Sequence, residues 1–294
     1  MKKVLITGGS GLLGQYLNIS ASQKFNIFTT YKNNPGNCKE FPNSKVDILN
    51  EYELSELFQK VRPQVVIHSA AITNPLPKEN QSSKEYFDTN VTATKSIAQL
   101  CENYRSKLIY ISTDLVYAGY RGSFLKEDAK LIPATLYAET KLVGEMKVKE
   151  STENYLILRT ALLYGFGLNH SRSHFQFIYD ELKNNRPVKL FIDQFRTPIS
   201  LKDSANIIAD LVELDINEET INLGGIERVS RYELGEILCS IAGFDKSLLQ
   251  KITMDEIPNF PKVADVSLNT EKLQALGLRP ATIEENIREI IRNN

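Results

Sequence analysis

Thr7-Gly8-Gly9-Ser10-Gly11-Leu12-Leu13-Gly14 is the stretch that decides how this chain is read. It follows Val4-Leu5-Ile6, a short apolar run of β character, and it opens a segment of helical period. Glycine is needed where a backbone turns through unusual dihedrals and where a side chain would hold a phosphate away. A helix starting directly behind such a turn offers free amides and the positive end of its dipole to an anion. Gly9, Gly11 and Gly14 fit G-x-G-x-x-G, while Gly8, Gly11 and Gly14 fit the wider G-x-x-G-x-x-G spacing. Between a strand and a helix, that pattern predicts a cradle for a dinucleotide pyrophosphate.

Working outward, Ile27-Phe28-Thr29-Thr30, Val65-Val66-Ile67-His68, Leu108-Ile109-Tyr110-Ile111 and Tyr155-Leu156-Ile157-Leu158 are further strand candidates. They lack polar alternation, as expected of strands covered on both faces. Leu54, Leu57, Phe58 and Val61 recur at helical spacing between them, as do Phe87, Val91, Thr94 and Ala98. The βαβα succession predicts an α/β fold with a doubly wound parallel sheet of Rossmann type over residues 1–160. After Thr160 the period becomes irregular through Pro187 and Pro198, and helical patterns return at Ser204–Leu214, Tyr232–Ala242 and Ile283–Ile291. Residues 161–294 therefore read as a smaller α/β lobe that binds substrate, with a segment near 200–214 crossing back onto the sheet.

The end of the second strand should lie beside the adenosine ribose, where an acidic residue favours NAD and a basic one accepts a 2′-phosphate. Thr29-Thr30-Tyr31-Lys32 has no carboxylate. Lys32 is thus the expected phosphate contact, with a solvated loop lysine as the alternative. Asp47 is placed near the adenine amino group, or on the surface. NADPH is the expected cofactor and NADH the alternative.

Tyr137-Ala138-Glu139-Thr140-Lys141 puts a phenol and an ammonium at i and i+4, neighbours on one helix face. A free phenol is a poor proton donor at neutral pH, and a nearby ammonium is expected to lower its pKa. Thr113, after the strand ending at Ile111, is positioned to hold a carbonyl oxygen against that phenol.

Composition narrows the classes that remain. The 294 residues are 42% apolar and 24% charged, ordinary for a globular protein, and the formal net charge of -1 gives no reason to expect a nucleic acid or an anionic membrane. No apolar run approaches the ~20 residues needed to span a bilayer. Cys38, Cys101 and Cys239 are scattered without metal-ligand spacing, as expected of reduced thiols in a cytoplasmic protein. His170 and His174 stand at i and i+4 with no carboxylate or thiol near in sequence to complete a metal site, so none is expected. His68 reads as a hydrogen-bonded core residue.

The glycine run, His68-Ser69-Ala70-Ala71, Asn90-Val91, Ser112-Thr113-Asp114-Leu115-Val116-Tyr117 and Tyr137-x-x-x-Lys141 together resemble the extended short-chain dehydrogenases/reductases over nearly the whole chain. Leu158-Arg159-Thr160, Tyr164-Gly165 and Asp193-Gln194-Phe195-Arg196-Thr197-Pro198 are most similar to the dTDP-4-dehydrorhamnose reductase branch. The resemblance implies Thr113, Tyr137 and Lys141 as the catalytic triad. It implies a cofactor site of Gly8, Ser10, Gly11, Leu12, Leu13, Tyr31, Lys32, Asp47, Ile48, Ala70 and Ala71, completed by Tyr137 and Lys141. Thr113, Asp114, Leu162 and Arg196 would meet the substrate. Asp114 is otherwise a capping residue, and Arg196 either pairs with a diphosphate or is structural. Related dehydratases carry Asp-Glu after the threonine; here Leu115 follows Asp114, which argues for reduction of a keto sugar without dehydration. Leu162 stands where the branch often has a tryptophan facing the sugar. The implied partner is a nucleotide sugar, in cell-surface polysaccharide synthesis, with a homodimer as the assembly to test. A different class, the β subunit of methionine adenosyltransferase, resembles the same branch and would bind NADP without turnover.

Overall fold

The computed structural model describes residues 1–74 and 82–293. Seven parallel strands form the central sheet: β1 (Lys3–Thr7), β2 (Asn26–Tyr31), β3 (Asn43–Lys45), β4 (Val65–His68), β5 (Lys107–Thr113), β6 (Tyr155–Thr160) and, from far along the chain, β11 (Glu219–Leu223). Their order is β11-β6-β5-β4-β1-β2-β3, so the winding reverses between β1 and β4. In sheets of this kind ligands bind outside the carboxyl ends of the strands at that reversal.

The strands lack polar alternation because each face has its own core. Val4, Ile6, Val65, Ile67, Ile109, Leu156, Leu158 and Ile221 pack with helices α1 (Leu12–Ser22) and α7 (Leu201–Leu211). Leu5, Val66, Leu108, Tyr110, Tyr155 and Ile157 point the other way, onto α2 (Glu51–Val61) and α4 (Ala93–Tyr104). Burying a Leu or Ile contributes about 1.5–3 kcal/mol, more than the ~1 kcal/mol of a helix cap. Two-sided burial therefore sets the layers, and the caps trim their ends. Helix α5 (Leu136–Ser151), capped by the Thr135 hydroxyl, completes the second layer.

Three features differ from the sequence expectations. The helical stripe through Phe87 is interrupted: α3 (Ser83–Phe87) joins α4 through a π turn at Asp88–Thr92, which rotates Phe87 outward to 50% exposure while Val91, Thr94 and Ala98 stay buried. Strand β3 was not anticipated. The segment crossing back onto the sheet runs beyond residue 214, because β11 follows α7 and pairs with β6 in register Ile221 to Leu158.

The irregular stretch after Thr160 contains short strands β7 (Leu163–Tyr164), β8 (Val188–Phe191), β9 (Phe195–Arg196) and β10 (Ile199–Ser200), with α6 (His174–Lys183) between β7 and β8. Strands β12 (Val229–Ser230) and β13 (Leu249–Ile252) pair with β9 and β8. Helices α8 (Arg231–Ala242), α9 (Glu271–Ala275) and α10 (Ile283–Arg292) follow, and α6, α8 and α10 enclose a separate core around Phe175, Leu182, Leu238 and Ile287. Among the described residues, no helix is long and apolar enough to cross a membrane.

Candidate active site

Gly8 turns with φ +68°, and a Cβ on it would stand 2.6 Å from the Ala70 backbone. Only glycine allows β1 to end so close to the loop after β4. Gly11 donates its amide to the Gly8 carbonyl (2.9 Å) and caps α1 without a side chain, leaving the first-turn amides free of a capping oxygen. Beyond the loop lies a cleft of about 300 Å³ at the carboxyl ends of β1, β2 and β4. Gly8, Ser10, Gly11, Tyr31, Lys32, Asp47, Ile48, Ala70 and Ala71 all line it, as the sequence suggested, together with Ile72 and Thr89. Leu12, Leu13, Tyr137 and Lys141, also expected there, do not. Leu13 is 7% exposed and packs in the core under α1, so its side chain serves the sheet.

Lys32 and Asp47 meet at 2.8 Å on the rim of this cleft. Burial pushes the Asp47 carboxyl up, but the Lys32 ammonium and the Leu49 amide outweigh it and hold the group below the usual range.

Further along, Thr113 closes β5, its hydroxyl donating to Asp114 Oδ1 (3.2 Å), and Tyr137 sits in the first turn of α5, near enough for Thr113 to act on its phenol. Burial pushes the Tyr137 phenol well above its ordinary pKa; Thr113 opposes that and the charge of Asp114 adds to it. The expected lowering by Lys141 is not what the geometry gives. Lys141 is 2% exposed, and its ammonium lies over the Tyr110 ring, 3.9 Å from the centroid. Burial brings the Lys141 pKa down to about 7, with Glu145 opposing. His68 is the core residue expected, bonded to Thr7 (2.7 Å) and Thr94 (3.1 Å) and lowered to about 3 by burial and by Lys141.

Asn90, in the π turn, connects the two ends. Its side chain accepts from the Ile72 amide (2.9 Å) and donates to the Ile72 carbonyl and the Thr140 hydroxyl (3.0 Å each). Thr140 in turn donates to the Tyr137 carbonyl (2.9 Å), so the cleft wall and α5 share one buried amide.

The second lobe brings its residues in beside Thr113. Asp114 and Arg196 are both buried, with Arg196 Nε 3.4 Å from Asp114 Oδ2, and Arg196 Nη1 donates to the Phe195 carbonyl (2.8 Å). Arg196 is therefore an interior residue at the site. Burial raises the Asp114 carboxyl, and Arg196, Thr113 and Arg231 act against it. Leu162 lines a small cavity with His174 and Arg231. Arg231 escaped sequence reasoning. It donates Nε to Gln194 (3.1 Å), and burial with the nearby Arg196 lowers it to about 9. Ser230 and Glu233 mark the start of α8 as a capping box, but no spacing in the sequence relates residue 231 to 114 or 196. His170 and His174 have no third ligand: among the described residues, no group of three His, Cys, Asp or Glu side chains could hold a metal ion.

A glycine-cradled cleft at the reversal of a doubly wound sheet, with a Thr–Tyr pair and a lysine one helical turn on, defines an extended short-chain dehydrogenase/reductase-like protein. The model of the RmlD substrate binding domain matches residues 1–294, and the chain belongs to that family. It is 28% identical to methionine adenosyltransferase 2 subunit beta of Xenopus laevis over 297 residues, covering 99% of this chain and 87% of that protein. It is 26% identical to dTDP-4-dehydrorhamnose reductase of Aggregatibacter actinomycetemcomitans over 311 residues, covering 99% and 98%. The structure of dTDP-4-dehydrorhamnose reductase from Bacillus anthracis str. Ames in complex with NADP superposes with a TM-score of 0.86 at 22% identity, covering 100% of this chain and 99% of that one.

Proposed function

We propose that this protein is an NADPH-dependent reductase of a nucleotide-activated 4-keto-6-deoxy sugar. The observation that carries the reading is the placing of Thr113 at the end of β5 beside the buried Tyr137 phenol, with Lys141 one turn along the same helix. A phenol kept protonated by burial is in the state that reduction of a ketone requires, since the alkoxide formed needs a proton. Tyr137 donates that proton, and Thr113 holds the oxygen in line with it. Lys141 would help hold the cofactor ribose. Gly8, Ser10 and Gly11, whose loop lines the cleft at the start of α1, suit a pyrophosphate, and Lys32 suits a 2′-phosphate. NADPH supplies the hydride. Asp114, Arg196 and Leu162 form the substrate wall.

The test is NADPH oxidation, followed by its near-ultraviolet absorbance, with dTDP-4-keto-6-deoxy sugars generated in place and NADH run in parallel. Rapid turnover with NADPH supports the reading. Tight NADPH binding with no reduction of any keto sugar overturns it.

The likeness to methionine adenosyltransferase 2 subunit beta over 99% of the chain favours a second reading, a regulatory subunit that binds NADP without turnover. A stoichiometric complex with a larger enzyme, formed by a chain inert toward keto sugars, distinguishes it from the first.

A further inference from the structure

Ser112, Arg159 and Asn222 are direct neighbours across β5, β6 and β11, and all three face α5. Glu145 comes down from α5 to meet them. Ser112 Oγ donates to Glu145 Oε1 (2.6 Å), and Arg159 forks onto the same carboxylate through Nε (3.1 Å) and Nη2 (2.8 Å). Both charged side chains are 3% exposed or less. The remaining Arg159 nitrogen donates to the Tyr117 hydroxyl (2.9 Å) and the Glu127 carbonyl (2.8 Å), and Tyr117 donates to Asn222 Oδ1 (2.8 Å). Every partner in this rung is satisfied, which is the condition for a buried charged network to hold one geometry.

The rung lies at the joint of the site. Ser112 precedes Thr113, and Glu145 is two helical turns beyond Tyr137 and one beyond Lys141. We propose that Glu145 is a positioning residue: clamped by Arg159 and bonded to Ser112, it fixes α5 against β5 so that Tyr137 meets Thr113 and Lys141 stays one turn away. This rests on the reductase reading only for its kinetic readout. Around Lys141 the charged and titratable groups are Glu145 and Tyr137 on its own helix, Tyr110 on β5 and His68 on β4. Among the described residues Glu145 is the carboxylate that acts on Lys141, so it also favours the ammonium form.

The experiment uses the full chain with Ser112→Ala, Ser112→Thr and Glu145→Gln. Ser112→Ala removes one hydrogen bond and no volume that folding needs. Its kcat is expected to fall roughly ten- to a hundredfold, as small misplacements of reacting groups do, with KM and NADPH affinity within twofold of wild type, and Ser112→Thr to restore most of the rate. Glu145→Gln keeps an acceptor for Ser112 but loses the charge, so the basic limb of the pH–rate profile should move to lower pH. Should Glu145→Gln not fold, the two Ser112 variants decide. A Ser112→Ala enzyme at the wild-type rate, or one whose NADPH affinity and melting temperature drop together with kcat, overturns the proposal. If wild type is inert toward keto sugars, the reductase reading fails by itself. The rung is then judged by threonine-methyl NMR, in which the Thr113 signal should move in Ser112→Ala while those of distant threonines stay; an unmoved Thr113 signal overturns it.

Discussion

The Lys141 ammonium nitrogen lies 3.9 Å from the centre of the Tyr110 ring, at the floor of the site, on the helix that also carries Tyr137. A cation enclosed by a ring, a neutral histidine and apolar strands is costly to keep charged. Its pKa falls to about 7, against an ordinary value near 10.5. The unfolded chain therefore binds a proton that the native chain releases between about pH 7 and 10.5, and native stability gains from rising pH across that window. Lys141→Met removes the penalty. It should melt above wild type at pH 6, by an amount reflecting a few kcal/mol at ~1.4 kcal/mol per pKa unit, and the gap should narrow by pH 9. Thermal melts at the two pH values check this; a gap that widens with pH contradicts it.

Tyr137→Phe removes the phenol hydroxyl on which Thr113 acts and leaves the ring's packing in place. Loss of a positioned proton donor lowers rates by about 10²–10⁴. Turnover should fall in that range while NADPH affinity, titrated by its fluorescence, changes less than threefold. A variant that reduces substrate at the wild-type rate removes Tyr137 as the acid.

How far the sequence reached depends on how local each signal was. The glycine loop, the Tyr137–Lys141 pair and the apolar strands are contiguous, so spacing alone placed them. Asn43-Ser44-Lys45 carries no apolar residue to announce β3. Glu219–Leu223 follows the polar loop after α7, and only pairing with β6 makes it part of the sheet. Phe87 fits a regular helical stripe, and the extra residue of the π turn, which the stripe cannot register, puts it outside. The direction in which Tyr137 titrates was hidden too, because it depends on burial and not on the distance from Lys141 along the chain. Arg231 gathers with Arg196 and Asp114 only through the packing of the second lobe.

Lys32 is 57% exposed and tied to Asp47 at 2.8 Å, so the pair adds little to stability. In the proposed reading its value is to hold a cation at the rim for a 2′-phosphate. Lys32→Ala should weaken NADPH binding roughly tenfold, the size of one charge-assisted hydrogen bond, and leave NADH binding and melting temperature nearly unchanged. Equal losses for the two cofactors would mean that Lys32 does not read the phosphate.

Asp114 is a buried carboxylate beside the buried Arg196, with Arg231 close enough to act on both. Two guanidiniums share this carboxylate, so removing it takes away the counter-charge acting on Arg231 and the stronger of the two, Asp114 and Asp265, acting on Arg196. Breaking one side of a buried ion pair typically destabilises by about 3–5 kcal/mol. Asp114→Asn keeps the shape and an acceptor for the Leu115 loop yet loses the charge, and its urea midpoint should fall accordingly. Adding Arg196→Met removes the stranded cation, and the double variant should recover part of that loss, since an apolar pair often replaces a buried ionic one at little cost. The Tyr137 phenol should also feel the change, because the Asp114 charge is one of the groups raising its pKa. With that charge gone the phenol titrates lower, and any limb of the pH–rate profile set by Tyr137 shifts to lower pH. If the double variant is less stable than Asp114→Asn by the full cost of a second buried defect, the two residues act independently and the shared-charge account fails.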